Sequence, residues 1–301
     1  MNTKQLKYVL VLADKGTFSR AAEALGISQP SLSQYIKKIE SQIGAQLFDR
    51  TNGDVRLTDA GRVYIEAGRK ILDLEHQMEA RFSDIVAMKT GSLIVGVSPF
   101  RAAAMMPAIA GRFQQLYPGM HLVVREGMTA EVLERMEHGE YDLCLTILPV
   151  DKRLFTYEKV MEEEMVLAVP ATGPKFNAET VEGRKYAAID AREIDGQGFV
   201  TLTEAQFMNR ALENLCADHH LTIFKAAEVN SLETQIAMVR AGIGMALVPT
   251  GIERFCSENE VRFYSFRQEL PKREVIVMWR NDRNLSHAAL ELKKVIHEIE
   301  W

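Results

Sequence analysis

The chain has 301 residues, 47% of them hydrophobic and 26% charged, with a formal net charge of −5. That length is a soft prior for about two domains, and the composition supplies a sizeable core and excludes a disordered chain. No run approaches the ~18 consecutive apolar residues of a membrane span, and the N-terminal stretch is too short and too charged for a secretory signal. Three cysteines (Cys144, Cys216, Cys256) lie far apart and cannot all pair, so a reduced, cytoplasmic protein without membrane contact is expected. The acidic total hides an asymmetry. Residues 1–70 carry 11 Lys/Arg against 7 Asp/Glu, net +4, whereas residues 90–301 carry 23 against 30, net −7. Only the basic head suits a polyanion.

In chain order, Leu6, Val9, Leu10 and Ala13 recur at helical spacing up to Gly16. A second helix runs from about Phe18 to Leu25, with Ala21, Ala22 and Leu25 inward, and Gly26 breaks it. Ser28 is the expected N-cap of a third helix, with Pro30 in its first turn. That helix has Leu32, Ile36, Ile39 and Ile43 on one face and stops at Gly44. Asn52-Gly53 predicts a tight turn between Leu47-Phe48 and Val55-Arg56-Leu57, a small β-wing. From Thr58 to about Met88 no breaker pair interrupts the chain. Tyr64, Ala67, Ile71, Leu74, Met78, Phe82 and Ile85 follow steps of three and four, an apolar seam on one charged helix ~45 Å long. Nothing nearby in sequence buries this seam. Pairing with a second copy is favoured over packing onto the chain's own body.

Beyond residues 89–91 strands and helices alternate. Strands are expected at 92–97, 121–126, 142–147, 165–169, 198–202, 223–229, 245–248, 261–265 and 275–279. Helices are expected at 105–116, 129–138, 204–219, 232–241 and 288–299. Short Val/Ile/Leu strands alternating with helices indicate an α/β architecture with mostly parallel, buried strands.

Helix, glycine turn and helix within about 26 residues form a helix-turn-helix, whose second helix enters the major groove. With Leu32, Ile36 and Ile39 inward, the other face presents Gln29, Ser31, Ser33, Gln34, Lys37 and Lys38, beside Ser28 and Pro30. Gln pairs bidentately with adenine and Ser meets several base edges. Lys37, Lys38, Arg50 and Arg56 suit phosphates, where a point charge serves without reading sequence.

These residues carry a resemblance. Phe18-Ser19-x-Ala21-Ala22-x-x-Leu25-x-x-Ser28-Gln29-Pro30-Ser31-Leu32-Ser33 is similar to the LysR-type transcriptional regulators, as are Ile36, Leu47-Phe48-x-Arg50 and Leu57-Thr58-x-Ala60-Gly61. Ile39-Glu40 and Ile43-Gly44 stand where the family often has Leu-Glu and Leu-Gly. The likeness continues more weakly in Gly139-Glu140-x-Asp142-Leu143 and Val239-x-x-Gly242-x-Gly244-x-x-x-Val248-Pro249. It implies a winged helix-turn-helix over residues 1–58, a dimerising linker helix over 59–89 and a two-lobed, periplasmic-binding-protein-like effector domain over 90–301. Lobe I would hold about 90–161 and 266–301, and lobe II about 162–265. It also implies a homodimer or homotetramer on double-stranded DNA at an interrupted palindrome near a promoter, with RNA polymerase a further candidate partner.

The body carries no Gly-x-Ser-x-Gly, Gly-x-x-x-x-Gly-Lys or His-Glu-x-x-His motif, so no catalytic residue, metal or cofactor is assigned. Gly242-x-Gly244 lacks a third glycine and follows a helix. His219-His220 reads as a helix end rather than a metal pair. A cysteine redox switch is an alternative, but Cys144 falls in a buried-looking strand and Cys256 lacks a near partner. A solute-binding or enzymatic α/β protein with an unrelated helical head is the other. Ligand binding fits better. In open α/β sheets small molecules meet strand ends and helix starts. Ser98, Thr129 and Thr201 occupy such ends, and Phe100, Phe199 and Leu202 offer an apolar wall. Thr129 can also cap its helix, and Thr203/Gln206 and Asn230/Glu233 have capping-box spacing. Arg101 fits either an acidic effector or a surface ion pair. A small carboxylate between the lobes is the expected effector.

Overall fold

The structure, a computed structural model, describes residues 3–49, 55–85, 91–203, 206–257 and 259–301, and the side chains of the long helix as far as residue 78. The head begins with α1 (Thr3–Lys15), α2 (Phe18–Ala24) and α3 (Gln29–Ile43). Thr17 caps α2 by accepting from the Arg20 amide, and Ser28 caps α3 by accepting from that of Ser31. Val9, Leu12, Ala21, Leu32, Ile36 and Ile39 are buried together, so three short amphipathic helices share one core. Strands β1 (Phe48–Asp49) and β2 (Arg56–Leu57) pair antiparallel as the wing. The expected Asn52-Gly53 turn lies outside the described residues. One carboxylate oxygen of Glu40 accepts the amides of Leu47 at 2.9 Å and Phe48 at 3.3 Å, which ties the wing to α3.

Helix α4 (Asp59–Ile85) leaves the wing at Thr58, whose hydroxyl donates to the Gln46 carbonyl and accepts from the Gly61 amide. A Cβ on Gly61 would stand 2.1 Å from the Leu47 carbonyl oxygen. Only glycine lets α4 start this close to the wing.

The body holds two sheets. The first runs β4 (Met120–Glu126), β3 (Gly91–Val97), β5 (Leu143–Ile147), β13 (Arg273–Arg280), β6 (Phe155–Glu163). Period-two alternation sorts its faces. Leu143, Leu145, Val275 and Val277 pack with α5 (Pro99–Leu116) and α9 (His287–Glu298), whereas Cys144, Ile276 and Met278 pack with α6 (Thr129–Glu137). The second sheet runs β11 (Ala246–Pro249), β7 (Met165–Pro170), β12 (Val261–Phe266), β8 (Ala188–Ile189). The parallel pair β9 (Gly198–Leu202) and β10 (Phe224–Val229) joins it through a bridge between Phe199 and Met245. Helices α7 (Phe207–Asp218) and α8 (Leu232–Arg240) cover it.

The strands are not mostly parallel. β13 runs antiparallel to β5 and β6, and β7 runs antiparallel to β11 and β12. The reason is topological: the chain crosses between sheets twice, from Glu163 to Met165 and from Phe266 to Arg273, and the returning strand enters reversed. Sequence reading also missed β6, a sheet edge whose residues Phe155–Glu163 mix charged pairs with apolar residues, without regular alternation or a Val/Ile/Leu run. Helix α5 starts at Pro99 rather than Met105, using the proline in its first turn.

Helix α4 rests on the first sheet's lobe through a polar strip. Asp73 is clamped by Arg280 at 3.2 Å and by Arg283, all largely buried. Arg69 donates to Nε2 of His138 at 2.6 Å, while Nδ1 of His138 lies 2.6 Å from the Glu134 carbonyl. His76 lies 3.7 Å from Asp142, which accepts the Ile94 amide at 2.8 Å. Gly139 passes directly beneath this clamp at φ +77°, where a Cβ would overlap Asp73 and Arg283. The motif residues Gly139 and Asp142 therefore serve helix docking.

Candidate functional site: recognition helix and interlobe cavity

The outward face of α3 carries the residues the sequence singled out. Ser28, Gln29, Pro30, Gln34, Lys37 and Lys38 are exposed, and Ser31 and Ser33 are half-buried. Ser28 and Ser31 are already engaged: their hydroxyl oxygens lie 2.7 Å apart within the cap. Gln29 and Gln34 are exposed polar side chains of α3 outside that cap contact, with Ser33 half-buried between them. Sequence reading missed Tyr35, 41% exposed, whose ring stands edge-on to Tyr8 at 5.1 Å. Arg56 is exposed on β2, and Arg50 lies outside the described residues.

The seam of α4 divides by depth. Tyr64 packs against the head core, Ala67 and Ile71 are exposed, and Leu74 and Met78 stand 64% and 53% exposed. The side chains of Phe82 and Ile85 lie outside the described residues. Packing onto the chain's own body, the less favoured reading, fits only the polar strip of Arg69, Asp73 and His76, which does not include the seam.

Between the lobes lies a cavity of about 400 Å³. The first turns of α5, α6, α7 and α8 all open onto it, through Ser98-Pro99-Phe100, Thr129-Ala130, Phe207-Met208 and Ser231-Leu232-Glu233. Helix dipole ends on four sides favour a negative group. Ser98 is the N-cap of α5 without making a side-chain cap bond. Thr129 is exposed and is the first residue of α6; Met128 holds the cap position, so the expected capping role of Thr129 is wrong. The cap of α8 is Ser231, accepting from Thr234, not Asn230. Gln206 caps α7 and donates to Thr203 Oγ1 at 3.2 Å and to the Asn230 carbonyl at 2.8 Å.

Ser98, Phe100, Thr129 and Leu202 thus come together at the cavity. Phe199 and Thr201 do not. Phe199 is fully buried beneath α7, and Thr201, 1% exposed, has its hydroxyl 3.4 Å from the Ala227 carbonyl on β10. Both faces of β9 are covered, and its rim comes one residue later than expected, at Leu202 and Thr203.

Arg101 meets neither an effector nor the surface. Buried to 2% exposure, it binds Glu163 bidentately at 2.9 and 3.0 Å. Arg273, from the cavity wall, brings Nε within 3.8 Å of the same carboxylate. Burial pushes the Glu163 carboxyl up, but the Arg101 charge and hydrogen bond, with Arg273, outweigh it and hold it below the usual range. Burial, then repulsion from Arg101, pulls the Arg273 guanidinium down to about 10.

The three cysteines are free thiols, one buried and two half-buried. Burial raises each of them: Cys144 is wholly enclosed, and Cys216 and Cys256 are half-buried near carboxylates. His219 closes α7 with its neighbour at φ 55°, and the described residues hold no group of three or more His, Cys, Asp or Glu fit for a metal. No described helix is long and apolar enough to cross a membrane.

A winged helix-turn-helix head, a long connecting helix and a two-lobed α/β body with a central cavity define a ligand-responsive DNA-binding regulator. The family described as "Bacterial regulatory helix-turn-helix protein, lysR family" matches residues 3–62, and "LysR substrate binding domain" matches residues 87–299. The chain belongs to the LysR family of transcriptional regulators. It is 29% identical to the HTH-type transcriptional regulator BudR of Raoultella terrigena, over 93% of this chain and 95% of that one. It is 26% identical to the DNA-binding transcriptional dual regulator OxyR of Escherichia coli, over 83% of this chain and 79% of that one. Full-length CbnR, a LysR family regulator solved with its target DNA, shares the fold at a TM-score of 0.68 and 19% identity, over 98% of this chain and 99% of that one.

Proposed function

We propose that this chain is a cytoplasmic, non-enzymatic regulator whose affinity for promoter DNA is set by a small organic acid bound between its lobes. Gln29, Ser33 and Gln34 read bases; Lys37, Lys38, Arg50 and Arg56 hold phosphates; Ser28 and Pro30 set the start of α3, with Ser31 inside its cap. The exposed Ile71, Leu74 and Met78 of α4 pair with a second copy, and two such dimers form a tetramer on an interrupted palindrome. The observation that carries the effector reading is the convergence of four helix starts on one cavity. Ser98 and Thr129 are its uncommitted hydroxyls, Phe100 and Leu202 its apolar wall. The regulator reading is tested by a mobility shift with fragments beside the chain's own gene. The site is tested with a reporter driven from that promoter, in a Ser98→Ala, Thr129→Val double variant. Basal occupancy should persist and the inducer response should fall; an unchanged response in a folded variant would place the site elsewhere.

A further inference from the structure

Among the described residues, one buried ion group at the crossover between the lobes holds unequal charge. Arg101, Glu163 and Arg273 form one buried group, two cations against one anion, and the bidentate pair with Arg101 uses both oxygens of Glu163. Arg273 is left with a Glu163 oxygen at 3.8 Å from Nε and with Met208 Sδ at 3.4 Å from Nη1, a weak acceptor. Its Nε is buried without a hydrogen-bond partner. A guanidinium 7% exposed with unfilled donors is costly unless an anion completes it. Its side chain forms part of the cavity wall.

Its position in the chain is equally telling. Arg273 is the first residue of β13 and Glu163 the last of β6, and the two are register partners at the points where the chain crosses between lobes. Across the cleft Arg273 touches the start of α7, through Met208 and through the Phe207 ring 5.9 Å from its guanidinium carbon. Glu233, at the start of α8, also faces this cavity. A second anionic group placed beside Glu233 meets like charge, while Arg210, the other cation of the wall, is exposed.

We propose that Arg273 is the anchor for the single carboxylate of the effector, seated at the crossover so that ligand binding replaces the Met208 contact and fixes the lobe arrangement. This deepens the effector reading and rests on it. The ligand class is a monocarboxylic acid with a short apolar body against Phe100, Phe207 and Leu202. Charge-assisted bidentate recognition is what an Arg, and not a Lys, supplies.

The test uses the full chain and calorimetric titration with butanoate, pentanoate and hexanoate, their neutral amides, and hexanedioate. Wild type should bind at least one acid roughly tenfold or more tighter than its amide, the scale of a charged hydrogen bond, and tighter than hexanedioate. Arg273→Met should lose that acid preference while melting no lower than wild type, since Arg101 and Glu163 remain a neutral pair. Arg273→Lys should keep part of it. Ala130→Trp, which fills the cavity, should abolish binding of acid and amide alike. Acid preference surviving in Arg273→Met, or a stronger response to hexanedioate, overturns the anchor but leaves the cavity reading standing. Binding unchanged in Ala130→Trp, or no acid bound by wild type, overturns both.

Discussion

Gln34 and Lys37 stand three residues apart on one exposed helix face yet should fail in different ways when truncated. Gln34→Ala removes a bidentate donor–acceptor pair, so it should cost roughly 1–3 kcal/mol on the specific site and little on random DNA. Lys37→Ala removes the proposed phosphate contact. It should weaken both and lower the salt slope of binding by about one. Filter binding across a salt series separates them; equal losses of Gln34→Ala on both DNAs would end its base-reading role. Thr129 is a cleaner probe than its sequence position suggests, because Met128 and not Thr129 holds the cap position. Thr129→Val should weaken the effector response with a melting temperature close to wild type. A loss near the ~1 kcal/mol of a missing cap would show that the hydroxyl serves the helix instead.

Helix α4 works as two faces with opposite chemistry. Its polar face is locked to the body by Asp73 against Arg280 and Arg283. Asp73→Ala would strand the nearly buried Arg283 guanidinium, while Arg280 keeps Asp282, and burial alone already pulls Arg283 down to about 10. Breaking a buried pair costs about 3 kcal/mol or more. Thermal unfolding of the body should fall accordingly, and Arg283→Met on that background should recover part of the loss. No change in either variant would mean that the clamp is open in solution. Its apolar face is exposed at Leu74 and Met78. Leu74→Asp places a carboxylate in the proposed seam, where its desolvation outweighs the packing gained. Sedimentation should show smaller assemblies and DNA affinity should drop, because linked heads supply each other's local concentration. Wild-type sedimentation of Leu74→Asp would remove the seam from the assembly.

At the scale of the molecule, the effector can shift the lobes only by its differential affinity for their two arrangements, and two links to the head are on hand, α4 and the ion pair of Arg135 on α6 with Asp14 on α1 at 3.4 Å. What was legible in the sequence follows from locality. Gly26, Ser28, Pro30 and Gly44 are caps and breakers acting within a few residues, so the head is readable as it stands. Alternation in β3, β5 and β13 revealed strands but not their direction, because the reversal arises from two crossovers far apart in the chain. The cavity was legible in part. Ser98, Phe100, Thr129 and Leu202 obey the rule of strand ends and helix starts, whereas Phe199 and Thr201 fail it because β9 is covered on both faces. The Arg101–Glu163–Arg273 group was not legible, since Glu163 lies 62 positions from Arg101 and no local pattern links them.

Selection of bound duplexes from a random pool by the full chain tests the regulator account most directly. It should enrich one interrupted dyad, with half-sites a whole number of helical turns apart, about 10–10.5 base pairs or a multiple, as paired heads require. The enriched site should bind at least ~10³-fold tighter than random duplex. A pool that stays unenriched, or one that converges on a lone half-site bound by a single copy, would contradict it.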